Sequence, residues 1–198
     1  HWLVGALLDG RADDVSLRIK GDLAHFPFAG HDGKPNPKGE FWVKGTIVDG
    51  KLDFAPGHFA DDGKAPLWPV IDSINGSFVF DRARMEIRGE TAKTLGADLS
   101  KVKAIIPDLM THNSVLSIDG TASGNLQTML QYVGASPVDG WLGHFLKDSK
   151  ASANAQLGLK LQLPLQHIID SKVQGTLQFA GNDVLLQGGI PPVSAVNG

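Results

Sequence analysis

Seven histidines, His1, His25, His31, His58, His112, His144 and His167, are the first side chains to test for chemistry. A helix that captures a metal needs two of them one turn apart, as in His-Glu-x-x-His, and no such pair occurs. They read as isolated loop residues, and no metal site is expected. The adjacent carboxylates Asp13-Asp14 and Asp61-Asp62 could divide into a general acid and a general base. Neighbours on an extended chain point to opposite sides, however, so both pairs read as solvated residues beside turns. Gly-x-Ser-x-Gly elbows, phosphate-cradling glycine loops and dinucleotide fingerprints are absent. The chain has no cysteine, which excludes disulfides and thiolate metal sites and fits an oxidising compartment. No catalytic residue and no cofactor are expected, and the chain does not read as an enzyme.

What remains is the chemistry of hydrocarbon burial. Formal net charge is −3, with 18 basic and 21 acidic residues, so no cationic surface for nucleic acid is expected. No window reaches about 18 consecutive apolar residues, the length a membrane-spanning helix needs. Gly at 24 residues and Pro at 11 suit many strands joined by turns. The dominant signal is period-two alternation, which puts every second side chain on one face of a strand. Val15, Leu17 and Ile19 alternate with Ser16, Arg18 and Lys20, and Phe41, Val43 and Ile47, with Gly45 in phase, alternate with Trp42, Lys44 and Thr46.

The elements that must carry this face follow from the turn residues. Asp49-Gly50 tolerates positive φ and predicts a two-residue hairpin turn, with Leu52 and Phe54 opening the return strand. Ile74, Gly76, Phe78 and Phe80 share a face, turn at Asp81-Arg82-Ala83, and pair with Met85, Ile87 and Gly89. Further strands are predicted over 99–106 and 116–122, and a long one over 151–163. Val173, Leu177 and Phe179 make one more, before a turn at Asn182-Asp183. Only three stretches have helical spacing. Trp2, Leu3, Ala6 and Leu7 make a short start; Leu126, Met129, Leu130 and Val133 run to Gly134; and Ser136, as N-cap with Pro137 behind it, introduces Val138, Trp141, Leu142, Phe145 and Leu146. This helix pair, near residues 125–147, either caps an apolar sheet face or docks on a membrane or partner. The stretches 29–39 and 56–69, rich in Gly, Pro and Asp, read as insertions between hairpins, and residues 1–198 as a single continuous unit.

An octapeptide repeats. Pro69 to Gly76 and Pro191 to Gly198 share Pro, any residue, a β-branched aliphatic, two of any kind, a β-branched aliphatic, Asn, Gly. Each follows a Gly-Thr-aliphatic strand start, at Gly45-Thr46-Ile47 and Gly175-Thr176-Leu177. The second copy stops where the first enters Ser77-Phe78, so the chain is expected to be a segment of a longer repeating protein. Units of this kind bury an apolar face by standing side by side and build elongated objects. Asn75-Gly76-Ser77 is a glycosylation sequon, but its echo at Asn197-Gly198 points to a backbone turn or bulge before a strand.

The run from Pro69 to Arg88, with Ile74-Asn75-Gly76, Phe78-Val79-Phe80-Asp81 and Arg84-Met85-Glu86-Ile87, continues through Leu95-Gly96-Ala97 and Ile106-Pro107-Asp108-Leu109. Taken with Ala135 to Trp141, Leu161-Gln162-Leu163-Pro164-Leu165 and Lys172-Val173-Gln174-Gly175, it resembles the central region of the YhdP family of AsmA-like proteins. That resemblance implies a repeating β-groove fold within a large envelope protein, anchored in the bacterial inner membrane and extending through the periplasm. It further implies carriage of phospholipid between inner and outer membrane along an apolar groove, and brings no catalytic residues.

The expected fold is therefore mainly β: an elongated, curved antiparallel sheet forming an open groove. Leu17, Ile19, Phe41, Val43, Phe78, Phe80, Met85, Ile87, Leu157, Leu159, Leu161, Leu177 and Phe179 are the expected groove lining. The expected partners are phospholipid acyl chains, the remaining repeats of a longer chain and envelope proteins. The alternative is a periplasmic scaffold for envelope assembly, with a closed β core. Each buried CH₂ of an acyl chain contributes about 0.8 kcal/mol, so a groove needs no specific polar contact to hold one.

Overall fold

Alternation puts one hydrophobic stripe on each extended segment, and antiparallel pairing merges the stripes of neighbouring segments into a single face. In the computed structural model, which describes residues 2–30, 36, 38–60, 62–186 and 190–198, the outcome is one open sheet of ten strands. His1, His31 and Asp61 lie outside that set, as do the side chains of Trp2 and Leu3. A short helix α1 (Trp2–Ala6) leads into β1 (Leu7–Gly21), followed by β2 (Gly39–Leu52), β3 (Ile71–Asp81), β4 (Arg84–Thr94), β5 (Ala97–Ile106) and β6 (Val115–Asn125). Helices α2 (Leu126–Gly134) and α3 (Val138–Trp141) come next, then β7 (Lys150–Ala151), β8 (Asn154–Pro164), β9 (Lys172–Leu185) and β10 (Val193–Asn197). Strands pair in chain order from β1 to β6, β8 joins β6, and β9 and β10 complete the far side, with β7 pairing β9. Among the described residues no ladder joins β1 to β10, so the sheet stays open.

The register stacks apolar residues in rows that run across the strands. Leu17 stands opposite Val43, Val43 opposite Phe80, Phe80 opposite Met85 and Met85 opposite Ile106. In the adjacent row Phe78 faces Ile87, Ile87 faces Ala104, Ala104 faces Ile118, Ile118 faces Leu161 and Leu161 faces Val173. Gly45 sits in phase with the apolar face because the Phe78 ring lies over it; a Cβ there would stand 2.9 Å from that ring.

Strands of 15 and 14 residues, as in β1 and β2, are far longer than the usual five or six and have to bend. Residues with left-handed backbone supply the bends: Asp14 (φ 51°), Asp49 (φ 51°), Ser73 (φ 52°) and Lys101 (φ 53°), each at a break in register. Asp49-Gly50 is accordingly a bulge and not the expected hairpin turn. Its positive φ serves either geometry, and here pairing continues through it, with Gly50 opposite Ile74 and Leu52 opposite Ile71. The extra residue also switches the inward-facing parity, which returns Leu52 to the apolar side. Asn182-Asp183 likewise lies inside β9 and is not a turn. The hairpin at Arg82-Ala83 forms as expected, with Asp81 opposite Arg84.

The repeated octapeptide is a repeated hydrogen-bond motif. Asn75 Oδ1 accepts from the Asp49 N–H at 3.2 Å, and its Nδ2 donates to the Ser73 carbonyl at 3.1 Å. Asn197 does the same, accepting from Gly181 N–H at 2.9 Å and donating to the Ala195 carbonyl at 2.9 Å. Ala195, like Ser73, has positive φ, at 55°. Each asparagine thus fastens a bulge in its own strand to the strand beside it. The expected thirteen-residue strand is broken at Ser152-Ala153, where the fully buried Asn182 donates to the Ser152 and Asn154 carbonyls at 2.7 and 3.1 Å and takes the place of ladder bonds. In the helix pair, Asn125 caps α2 by accepting from the Gln127 N–H at 2.9 Å. Ser136 is not the cap expected for the second helix; its hydroxyl donates back to the Val133 carbonyl at 3.0 Å, and α3 is a single turn.

The opposite, wet face carries charge. Glu86 is bound by Arg84 at 2.8 Å and Arg88 at 2.8 Å, with Lys103 at 3.9 Å, so the like charges of Arg88 and Lys103, which stand opposite each other, share one carboxylate. The hydrogen bond from Arg84, opposed by partial burial and helped by Arg88 and Lys103, holds the Glu86 carboxyl below its ordinary value of 4.5. A depressed carboxylate contributes stability that is complete above the unfolded value and lost as pH falls through the folded one. Glu86→Gln should therefore melt lower than the unaltered chain near neutral pH, and the gap should close as melting is repeated toward about pH 3. Glycine substitutions separate crowding from chain entropy. Gly76→Ala drives a methyl into the Arg88 carbonyl and should lower stability by about 1–3 kcal/mol in urea titrations. Gly134→Ala, with open space around it in a helix, should raise stability by about 0.5–1 kcal/mol.

Candidate functional site

The apolar face divides into an uncovered and a covered half. On β1 the floor residues Val15, Leu17 and Ile19 are 52%, 61% and 47% exposed, so nothing among the described residues seals them. Toward the other side Met85, Ile106, Leu116, Leu161 and Leu163 are fully or nearly fully buried, and the residues that bury them come from outside the sheet. Phe54 and Trp68 reach over from the β2–β3 connection, with ring centroids 5.5 Å apart. Tyr132 of α2 and Val138 of α3 pack against the same cluster. A second cluster of Leu126, Met129 and Ala155, flanked by Leu157, Leu177 and Phe179, seats α2 on β8 and β9.

Between these coverings and the sheet lies a cavity of about 570 Å³, within the range of small-molecule sites. Its floor includes Ile118, Leu157, Leu159, Leu161, Val173 and Leu177, its roof Leu126, Met129, Leu130, Val133, Trp141, Leu142 and Leu146, and one wall Phe54 and Trp68. No lining residue is charged, and its polar side-chain groups are the Thr94 and Thr121 hydroxyls, the Tyr132 phenol and the indole N–H groups of Trp68 and Trp141. The Thr94 hydroxyl is used by the Val70 carbonyl at 3.0 Å, and burial pushes the Tyr132 phenol far above its ordinary value, so it stays neutral. A space of this kind accepts hydrocarbon and rejects an ionised headgroup, whose desolvation would go uncompensated.

The expected lining residues are distributed unevenly over this geometry. Leu157, Leu159, Leu161 and Leu177 line the cavity. Met85 is wholly buried beneath the Phe54–Trp68 cluster, with Phe80 and Ile87 against it. Phe179 packs on the α2 cluster. Leu17 and Ile19 stand on the uncovered floor with Phe41, Val43 and Phe78 in the neighbouring strands, Phe41 meeting the Phe26 ring at 4.9 Å. Alternation assigned Phe54 to a return strand, whereas β2 ends at Leu52 and Phe54 turns into the cluster; it could not point to Trp68, while the helix pair caps the sheet face as one of its two readings had it. The available signals were the aromatics bounding the Gly- and Pro-rich stretch 56–69 and the helical spacing of Leu126, Met129 and Val133.

Three of the titratable residues first tested have structural duties. Asp13 pairs with Arg11 at 2.9 Å. Asp62 accepts the Lys64 and Ala65 N–H groups at 2.9 and 3.0 Å, which lowers its carboxyl pKa. His144 meets Asp139 at 2.7 Å and ties down the turn after α3. Among the described residues no group of three His, Cys, Asp or Glu could hold a metal ion.

A family model described as YhdP protein matches residues 1–198. A curated relative, the intermembrane phospholipid transporter YhdP of Escherichia coli (strain K12), is 23% identical over 178 residues, which cover 89% of this chain and 13% of the relative. The chain thus spans about 13% of the length of that relative. No solved structure matches the chain.

The covered and uncovered halves should respond differently to truncation. Leu161→Ala, at 4% exposure, should cost about 2–5 kcal/mol in chemical denaturation, whereas Leu17→Ala, at 61% exposure, should stay within about 0.5 kcal/mol.

Proposed function

The chain belongs to the YhdP family, and from that premise we propose that it carries phospholipid acyl chains along the apolar face of its sheet, as one stretch of a path between two membranes. The observation that carries this reading is the continuity of that face. Rows of apolar side chains cross from β1 to β9 without a charged residue among them, on a sheet that never closes on itself. Acyl chains lie in the trough formed by these rows while the headgroup stays at the rim in water. Each CH₂ transferred from water contributes about 0.8 kcal/mol, and because that attraction is non-directional a tail can slide from one row to the next without breaking a specific bond.

In this reading Leu17, Ile19, Phe41, Val43 and Phe78 form the open floor, and Leu157, Leu159, Leu161 and Leu177 the covered floor. Phe80, Met85, Ile87 and Phe179 support them from the packed clusters. Roles are collective, and no covalent step is involved. The curated relative's name, an intermembrane phospholipid transporter, supplies the cargo class and a location between membranes, hence the periplasm. Anchoring in the inner membrane belongs, on this reading, to parts of the protein other than this sheet, since no helix among the described residues is long and apolar enough to cross a bilayer. A closed scaffold core is disfavoured by the half-exposed Leu17, Ile19 and Val15, which a sandwich would bury against a second sheet.

Native mass spectrometry after gentle purification should find phospholipid bound to the chain. Leu159→Asp, on the cavity floor, should reduce it severalfold, while Gln162→Asp, on the wet face of the same strand, should leave it unchanged. A chain that carries no phospholipid, or that loses it equally with both substitutions, would overturn the reading.

A further inference from the structure

The covered half of the trough has a roof in two pieces, which meet where Tyr132 and Val138 pack against the Phe54–Trp68 cluster and, at the outer rim, in a contact between rings. The β2–β3 connection contributes Trp68 and the turn of α3 contributes Trp141, with centroids 5.8 Å apart and the planes at 65°. The Trp68 indole N–H is buried and has no hydrogen-bond partner among the described residues, so no directional bond fastens the two pieces at this point. The roof is tethered elsewhere. At its start α2 is tied to the sheet edge by the Leu126 N–H on the Ala153 carbonyl at 2.9 Å and by Gln127 Oε1, which accepts from the Ala151 N–H at 2.8 Å. The other end, from Val138 to Leu146, is held by internal bonds such as His144 to Asp139 and runs on into β7, where Lys150 and Ala151 pair with β9.

The outer side of that end is half-exposed and apolar: Trp141, Leu142 and Phe145 are 44%, 45% and 47% open to solvent. Trp141 and Leu142 also line the cavity, so the same side chains touch the compartment and its surroundings. A tail that entered beneath the roof would replace ring contacts with hydrocarbon contacts at little cost in polar bonding.

We propose that the β2–β3 connection and the α2–α3 pair form a two-part gate across the trough, closed by the Trp68–Trp141 contact, with the cavity beneath it an acyl-chain compartment that fills when the contact parts. The gate rests on the groove reading given above, because it regulates passage along that same floor. The open β1 side would accept tails at all times, and the β4–β9 side only when the gate opens.

The chain has no cysteine, so a Trp68→Cys, Trp141→Cys variant offers a unique thiol pair. Left free, the pair removes the ring contact and opens the gate; joined by a short bis-maleimide, it closes the gate on the same protein. A benzophenone amino acid placed at Leu17 or at Leu157 reports tails from vesicles of phosphatidylethanolamine and phosphatidylglycerol on the open floor or inside the compartment. Crosslinking at Leu157 should be about fivefold or more higher with free thiols than with the linked pair, and crosslinking at Leu17 should be equal in both. Trp141→Ala, at a half-exposed position, should raise Leu157 crosslinking above that of the unaltered chain. Equal Leu157 crosslinking in linked and free forms, with Leu17 still reacting, overturns the gate and leaves the groove standing. Loss of crosslinking at both positions in every form overturns the gate together with the groove reading beneath it.

Discussion

A strand has two faces and a period of two, so every insertion of one residue sends all later side chains to the wrong side unless something restores them. That parity is the constraint on which this molecule depends. With strands of up to 15 residues, twist accumulates over a long span, and the strands must bend. Bulges bend the strand and sharpen its local twist, yet each one flips parity. The structure meets both demands by changing the sequence pattern at the bulge itself. In β2 the inward positions are odd through Ile47 and even from Gly50 onward, with Asp49 taking the positive φ between them. In β3 the same switch falls at Ser73, between Ile71 and Ile74. Asn75 binds both bulges at once, and so fixes the bend of one strand to the bend of the next.

Because the bends are fastened pairwise, the Asn-Gly motif recurs wherever this local arrangement recurs. The second copy shows the same two hydrogen bonds around Gly181, Ala195 and Asn197, although the loops before the two motifs differ in length. The glycine has its own reason: Gly76 stands opposite Gly89, so close to the Arg88 carbonyl that a methyl group could not fit. Asparagine supplies the polar fastening and glycine the close approach of strands. The backbone bulge expected at Asn75 is what its two hydrogen bonds hold in place.

Much of this was visible in the order of residues and part was not, for identifiable reasons. Alternation located the strands and the face they share, since Leu17 to Phe80 to Met85 and Ile118 to Leu161 to Val173 follow directly from parity. The Arg82-Ala83 hairpin was legible because the two flanking runs end together. Asp49-Gly50 was misread because a two-residue turn and a bulge ask for the same backbone angles, and only the partner strand decides between them. The break at Ser152-Ala153 was invisible because it is imposed by Asn182, some thirty residues on. The division of the face into open and covered halves was likewise hidden. It is set by where Phe54 and Trp68 come to rest, and a loop's destination is not encoded in its own period.

That division also resolves a conflict between stability and openness. An apolar face left wholly to water would forgo the burial that holds a sheet together, since each Å² of apolar surface kept from water contributes about 25 cal/mol. A face wholly buried would leave no apolar surface open. Here Met85, Ile106, Leu116 and Leu163 are sealed and anchor the sheet's middle, while Val15, Leu17 and Ile19 are left to the open side. The anchoring row and the exposed row are one row, continued across the strands from Leu17 through Val43 and Phe80 to Met85. The register that positions the open floor is therefore held by the closed one. Polar ladders on the wet face, with Glu86 between Arg84, Arg88 and Lys103, stabilise that register without covering anything. An apolar surface can stay exposed on β1 because its geometry is fixed by packing several strands away.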